Sequence, residues 1–312
     1  MIKPVITGSF IDFKHHSEFD GKYWVDKAAL FTDDDWKLKI REMSELGIDT
    51  VVVMAVALHG KAFYKSKVFP KYEITAKDAL EAVLIQAGEL DMNVFVSGGW
   101  VTEQYIDFPT EEWQVEKSKK VIDELNDNYG KHKAFKGWYL PYESGVKVYF
   151  DDRAVDNLEK ITGYIKKVSK KPILIAPYIK EQPVNDEKYI TQLKRLGADM
   201  YAYQDGVGVR WRKPEDTAAM YKNLKTIHEK AGIKLWTDLE VFEFEGEVYK
   251  SGLIPASIER VKKQLVNQAP YVEKILCYQV HGLMDKPGSK CPLGVLETQK
   301  LYADYQKYRG SV

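Results

Sequence analysis

The chain alternates eight times between a short apolar segment rich in β-branched residues and a longer segment with helical spacing. The short segments are apolar throughout, which is typical of strands buried on both faces of a parallel sheet. The pattern predicts strands at residues 5–13, 50–57, 93–98, 137–143, 173–178, 200–204, 235–242 and 275–280.

The longer segments predict amphipathic helices, because their apolar residues recur every three or four positions. Thr32 precedes three aspartates, as a helix N-terminal cap does, and Gly47, Gly197 and Gly232 are typical of helix C-terminal ends. The predicted helices are residues 34–46, 76–90, 111–129, 152–169, 187–196, 217–231, 257–269 and 294–308.

Eight strand-helix units in 312 residues match a closed (β/α)8 barrel, the TIM-barrel fold, as a single domain over residues 1–312. The alternative is an open doubly wound sheet, which usually carries a glycine-rich phosphate turn after its first strand. Here the first strand continues into Ile11-Asp12-Phe13-Lys14, and no segment rich in Pro, Ser and Gly divides the chain. The sequence therefore favours the barrel.

The balance of acidic and basic residues argues against nucleic acid or an anionic membrane as the binding partner. The 46 Lys and Arg residues are matched by 46 Asp and Glu residues, so the excess positive charge of proteins that bind nucleic acid or anionic membranes is missing. No apolar run is long enough for a membrane span, and no signal peptide is visible at the start. We expect a cytoplasmic protein, or a secreted or periplasmic one whose leader was removed, while its oligomeric state stays open.

The loops predict where function lies. Turns from helix to strand are short, as at residues 47–49, 197–199 and 232–234, whereas connections from strand to helix are long. In barrels of this kind the active site lies at the C-terminal ends of the strands, where the long loops meet. We therefore expect functional side chains at that rim.

Two carboxylates stand out at this rim. Glu143 ends the predicted fourth strand and Glu240 lies on the seventh, across the barrel. Glycoside hydrolysis requires such a pair, one protonated to donate to the leaving oxygen and one ionised to attack or stabilise the anomeric carbon. A separation of about 5 Å implies retention of configuration and about 6.5–9.5 Å implies inversion.

Other polar and aromatic residues near the strand ends are candidates for substrate binding, since flat rings stack on sugar faces. Trp138 and Trp236 lie mid-strand and are predicted to pack in the core, and Asp238 is interpreted as a buried hydrogen-bonding anchor. Glu243 is a second candidate nucleophile if the register of strand seven differs. The candidate substrate-binding residues are Asp12, Trp100, Tyr142, Tyr178, Gln204, Asp205, Trp211, Glu243, Tyr278 and His281.

Several segments carry a family resemblance: Thr7-Gly8-Ser9-Phe10, residues 137–143, Ile175-Ala176-Pro177-Tyr178, residues 204–208 and residues 238–243. They resemble the DUF4434 family of glycoside-hydrolase-type barrels, which is similar to the clan of retaining glycosidases.

The resemblance implies Glu143 as acid/base and Glu240 as nucleophile, with retention of configuration. We expect a carbohydrate substrate and no cofactor. That clan usually has Asn before the acid/base, where this chain has Tyr142. Gln204 and Asp205 are the nearest substitutes for orienting a substrate hydroxyl or holding Glu240 ionised.

Two alternatives remain open. A barrel that binds glycans without cleaving them needs the same aromatic residues, and only cleavage needs the carboxylate pair. A metal-dependent hydrolase could use His15, His16, His59 and His281 with Asp12, Asp205 or Glu143. However, adjacent His15 and His16 do not form the His-x-His motif typical of barrel metallohydrolases, and we expect no metal.

Overall fold

A computed structural model describes residues 2–104 and 106–312 and shows a closed eight-stranded barrel. Every barrel strand pairs in parallel with its neighbours in chain order, and the eighth strand pairs with the first. The predicted TIM barrel is therefore confirmed. The barrel strands, first to eighth, are Gly8–Ile11, Thr50–Val53, Asn93–Ser97, Phe135–Leu140, Ile173–Ile175, Met200–Gln204, Lys234–Glu240 and Lys274–Tyr278.

Helices follow the strands and form the outer layer. All eight predicted helices are present, and two of them, Glu187–Leu196 and Thr217–Ala231, have the predicted bounds. The others are Asp33–Glu45, Ala79–Glu89, Glu112–Tyr129, Asp152–Val168, Ile258–Gln268 and Glu297–Arg309, with a short additional helix at Val25–Ala29. Within the described residues, no helix has the length and apolar character that crossing a membrane requires.

The sixth strand has the predicted bounds, but the other seven end earlier than the apolar runs predict, because the chain leaves the barrel ladder to build the rim. The first strand ends at Ile11 rather than residue 13, and the seventh at Glu240 rather than residue 242. After Glu240 the chain forms an antiparallel hairpin of Phe242–Phe244 with Leu253–Pro255. Apolar composition identifies buried chain, but it does not separate a barrel strand from a buried rim segment.

Local signals at the helix ends act as predicted. The Thr32 side chain accepts a hydrogen bond from the Asp35 amide while the Asp35 carboxylate accepts one from the Thr32 amide, which is a capping box. Gly197 and Gly232 end their helices with φ of 67° and 70°, a conformation that favours glycine. Each lets the chain turn directly into the next strand.

Large aromatic side chains fill the barrel interior. The Phe10 and Tyr139 rings meet edge to face with centroids 5.4 Å apart, and those of Phe95 and Trp236 do so at 5.8 Å. A Cβ on Gly137 would lie 2.2 Å from the Phe95 ring, so glycine there leaves space for that ring. Trp236 is therefore a core residue, as predicted, and it lies inside the barrel.

A buried ion cluster joins the loop after the eighth strand to the helix Asp33–Glu45. Lys39 Nζ lies 3.0 Å from Glu42 and 3.1 Å from Asp285, and all three side chains are buried. The Asp285 carboxylate also accepts hydrogen bonds from the amides of Leu293 and Gly294. Burial acts to raise the pKa of Asp285, but Lys39 and these amides outweigh it and lower that pKa. The cluster therefore fixes a long loop of the functional rim.

We predict that Asp285→Asn lowers the free energy of unfolding by about 3 kcal/mol, because it removes one partner of a buried ion pair. Chemical denaturation at neutral pH measures this change. Because the pKa of Asp285 is lowered in the folded state, its contribution is fully present above the unfolded pKa of about 3.9 and is lost as the pH falls through the lower pKa of the folded state. The matched control is Glu112→Gln, which breaks a surface pair with Lys160 and should change little. Equal effects of the two variants would contradict the prediction.

Candidate active site

A cavity of about 390 Å³ opens at the C-terminal ends of the barrel strands. Long loops and strand ends from around the barrel contribute to its wall. Its acidic lining residues are Asp20, Asp107, Glu143, Asp238 and Glu240. The two carboxylates singled out from the sequence thus lie in one cavity.

Glu240 is the last residue of the seventh strand and is 2 % exposed. Its Oε2 accepts a hydrogen bond of 3.0 Å from the Val209 amide, and the Gly208 amide also donates to this carboxylate. Burial and the Asp205 carboxylate raise the pKa of Glu240 to about 8, while these amides and the Arg260 guanidinium act to lower it. A Cβ on Gly208 would lie 3.0 Å from Glu240 Oε2 and 2.6 Å from the Phe242 carbonyl oxygen, so glycine permits this close approach.

Glu143 lies just beyond the fourth strand and is partly exposed in the cavity. Burial raises the pKa of its carboxyl group to about 7, and the nearby carboxylate of Asp107 adds to the rise. A side-chain hydrogen bond from Gln204 acts in the opposite direction. Glu143 therefore keeps a proton at a higher pH than an ordinary glutamate does.

The raised pKa values of Glu143 and Glu240 determine how the pair is protonated near neutral pH. Both have a pKa raised into the neutral range, so a singly protonated pair is populated around neutral pH. One carboxyl group of such a pair can donate a proton while the other carries negative charge. This is the combination that acid-assisted displacement requires.

Asp238 also lines the cavity, on the same face of the seventh strand as Glu240. The sequence predicts a hydrogen-bonded anchor, but Asp238 Oδ1 is buried and has no hydrogen-bond partner in the described part of the chain. Burial and the carboxylates of Glu240, Asp205 and Glu143 raise its pKa well above the usual range.

Aromatic and apolar side chains form much of the remaining wall. Trp211 is 42 % exposed, and its ring meets Tyr178 at a centroid distance of 5.4 Å. The Tyr178 hydroxyl donates to Asp107 at 3.2 Å. Tyr278 and Gln204 line the cavity as well, as the sequence predicts for substrate-binding residues. The hairpin after the seventh strand adds Phe242, Phe244 and Leu253.

Three predicted residues lie behind the cavity wall rather than on it. Asp12 accepts hydrogen bonds from the Tyr278 hydroxyl at 3.0 Å and from His281 Nε2 at 2.9 Å. Burial acts to raise the pKa of Asp12, but the contacts with His281 and the charge of His15 outweigh it and lower that pKa to about 2. Asp12 and His281 therefore position Tyr278.

Asp205 is the third residue behind the wall, fully buried below Glu240. Its Oδ2 accepts hydrogen bonds from the side-chain amides of Gln264 at 2.6 Å and Gln268 at 2.8 Å. Since Gln264 also donates to the Glu240 carbonyl oxygen at 3.2 Å, Asp205 supports the backbone that carries Glu240.

Three other candidates lie away from the cavity lining. Tyr142 is buried, with its hydroxyl 3.3 Å from Ser118 Oγ on the helix Glu112–Tyr129, because this part of the chain alternates between the barrel and the helical layer. Trp100 is buried and meets the His16 ring edge to face at 5.8 Å. Glu243 pairs with Ile254 in the hairpin and lines a different surface pocket. Of the two candidate nucleophiles, only Glu240 lines the cavity.

The histidines considered for a metal site do not converge. His15 and His16 stack on each other with centroids 4.5 Å apart, and His59 lies exposed on a hairpin turn. Within residues 2–104 and 106–312, no group of three or more His, Cys, Asp or Glu side chains has the arrangement of a metal site. The donor sets named from the sequence therefore do not assemble.

Several further residues of the cavity come from the long loops and carry no individual signal in the sequence. Asp20 and Asp107 bring two more carboxyl groups, and Lys180 brings the ammonium group that lies 5.1 Å from the Tyr178 ring centroid. Tyr249, at the tip of the hairpin, packs against Phe244. The only sequence signal for them was the length of the loops, which does not identify individual side chains.

The sequence of this chain matches one known protein family. A family described as "Domain of unknown function (DUF4434)" matches residues 6–291. No curated protein sequence matches the chain.

Among solved structures, a candidate alpha-L-fucosidase from Bacteroides thetaiotaomicron is similar with a TM-score of 0.77 and 22% identity, over 97% of this chain and 92% of that one. An endo-beta-1,4-mannanase from Thermotoga petrophila has a TM-score of 0.60 and 12% identity, over 97% and 76%. At these identities the similarity shows the shared barrel fold.

Proposed function

This chain belongs to the DUF4434 family, and we propose that it is a glycoside hydrolase that uses Glu143 and Glu240 to cleave a neutral glycan or glycoconjugate. The observation that carries the proposal is the pair of glutamates in one rim cavity, both with a pKa raised into the neutral range. The similar barrels described as a fucosidase and a mannanase support this reaction class.

In the proposed reaction Glu143 acts as general acid. It donates its proton to the oxygen of the leaving group as the glycosidic bond breaks, and it then takes a proton from the attacking water. The raised pKa of Glu143 suits this role, because the carboxyl group must hold its proton near neutral pH.

Glu240 acts as nucleophile and forms a bond to the anomeric carbon, which water then hydrolyses with net retention. Two backbone amides, those of Gly208 and Val209, donate to its carboxylate. Such donors stabilise the ionised form and fix the direction of the attacking oxygen. In the reversed assignment, Glu240 would be the acid and Glu143 the nucleophile. One observation favours it: the pKa of Glu240 is raised to about 8 and that of Glu143 only to about 7, so Glu240 holds its proton to a higher pH.

We predict that Glu240→Gln lowers kcat by several orders of magnitude on aryl glycosides while the melting temperature stays close to that of the wild type. The substrate panel includes α-L-fucosides and β-mannosides, after the similar structures. Glu243→Gln is the matched control, because Glu243 follows closely in sequence but lies outside the cavity. A Glu240→Gln variant with wild-type turnover would remove Glu240 from catalysis.

Added azide assigns the two roles. A nucleophile variant such as Glu240→Ala should yield a glycosyl azide of inverted configuration, whereas an acid/base variant should yield one of retained configuration. Inverted product from Glu143→Ala instead would establish the reversed assignment.

We predict that Glu143→Ala lowers activity about 10²- to 10⁴-fold on glycosides with poor leaving groups, and far less on those with good ones, because only the former need a proton. In the wild type, kcat/KM should be highest between a pH of about 7 and about 8 and fall at higher pH, since Glu143 must keep its proton while Glu240 must lose its own. The variant should lack this alkaline decline on activated substrates. An equal loss on both substrate types would exclude Glu143 as the acid.

Trp211 is predicted to bind substrate by stacking. Trp211→Ala should raise KM about three- to tenfold with kcat nearly unchanged, because it removes an aromatic wall and no reacting group. Trp113→Ala is the control, since Trp113 is 54 % exposed on an outer helix. Initial-rate kinetics on the best substrate of the panel measures both, and equal KM values for the two variants would contradict the assignment.

A glycan-binding barrel without activity is the second candidate, and the exposed Trp211 beside Tyr178 favours binding in either case. The same panel separates the two functions. Saturable glycan binding by calorimetry, without turnover on any substrate, would replace the hydrolase by a binding protein.

A further inference from the structure

A third carboxyl group in the cavity has no role in the two-carboxylate reaction. Asp238 lies on the inner face of the seventh strand, two residues before Glu240 and two after Trp236. Asp238 is only 3 % exposed, yet it contributes to the cavity lining on the same strand face as Glu240. A sugar bound against Glu240 therefore lies close to Asp238 as well.

The surroundings of Asp238 disfavour an ionised carboxylate. Within the described part of the chain, Asp238 Oδ1 is buried without a hydrogen-bond partner, whereas the buried carboxylates of Asp205 and Glu240 both accept hydrogen bonds. A buried carboxylate with an unmatched oxygen is costly, whereas a neutral acid is far less so.

The charged and titratable groups facing Asp238 also disfavour its ionised form. They are Glu240 on its own strand, Asp205 after the sixth strand and Glu143 after the fourth. Tyr139 inside the barrel, Tyr221 on the adjacent helix and Cys277 on the eighth strand also lie within reach of its charge. These groups are acids, so each of them when ionised opposes a negative charge on Asp238.

We propose that Asp238 is a neutral carboxylic acid that donates its O–H to a hydroxyl oxygen of the sugar bound beside Glu240. This inference rests on the proposed glycoside hydrolase function and adds a residue that recognises the sugar at the cleavage point. A neutral acid can donate where a carboxylate only accepts, so Asp238 complements the two reacting glutamates without adding negative charge beside them.

Two substitutions of similar shape separate the possible roles. Asp238→Asn keeps a neutral side chain with a donor, and Asp238→Leu keeps a neutral side chain without one. We expect kcat/KM of Asp238→Asn to stay within about threefold of the wild type and that of Asp238→Leu to fall about tenfold or more. The alkaline decline of the pH profile should persist in Asp238→Asn, since it is assigned to Glu143.

Infrared difference spectroscopy gives a readout that does not depend on turnover. The wild-type protein at neutral pH should show the carbonyl stretch of a protonated carboxylic acid that is lost in Asp238→Asn and retained in Glu243→Gln. Its absence would show that Asp238 is ionised and overturn the proposal.

The kinetic outcomes are equally decisive. Full activity of a folded Asp238→Leu variant would show that no donor is needed. An equal loss of activity in Asp238→Asn and Asp238→Leu would show that a charged carboxylate is needed. Either outcome overturns the proposal. If Asp238→Leu fails to fold, Asp238→Ala serves as the variant without a donor. A wild-type protein inactive on every glycoside would overturn the hydrolase function and the donor role with it, while the infrared band still decides the protonation of Asp238.

Discussion

The two-residue period of the seventh strand is the constraint on which the site depends. Trp236, Asp238 and Glu240 point into the barrel, whereas the Thr237 hydroxyl contacts Tyr221 and Gln268 in the helical layer. A slip of one residue would exchange these sets and bury the acidic face against helices. The parallel pairing with both neighbouring strands fixes the register, so barrel closure itself aims two carboxyl groups into the cavity.

Burying several carboxyl groups at one end of the barrel costs free energy. Different hydrogen-bond donors offset this cost at three of them. Glu240 receives backbone amides, Asp205 receives two glutamine amides, and Asp12 receives a histidine and a tyrosine hydroxyl. Asp238 receives none at its buried oxygen. Differences in protonation at the rim therefore follow from differences in hydrogen bonding and in neighbouring charges, since burial is common to all four.

The sequence predicts the barrel and its helices well because strand and helix periods are local properties of the chain. It also predicts Glu143, Gln204, Tyr178 and Tyr278 as cavity residues, since each lies at or near a strand end. Tyr142 and Glu243 lie outside the cavity lining, because the alternation of the strand continues beyond its end and directs both side chains away from the cavity. Cavity residues in the long loops are set by tertiary packing, which no local pattern encodes.

Some residues predicted to bind substrate lie behind the cavity lining. They show that a polar residue at a strand end does not by itself identify a binding residue. Asp12, His281 and Asp205 are polar and lie at the rim, yet each of them hydrogen-bonds to other protein groups and lies behind the cavity lining. A residue type at a strand end therefore marks the functional rim without showing which partner it meets. What separates Asp238 from Asp205 is the number of donors that reach each carboxyl group, a property that only the packed barrel defines.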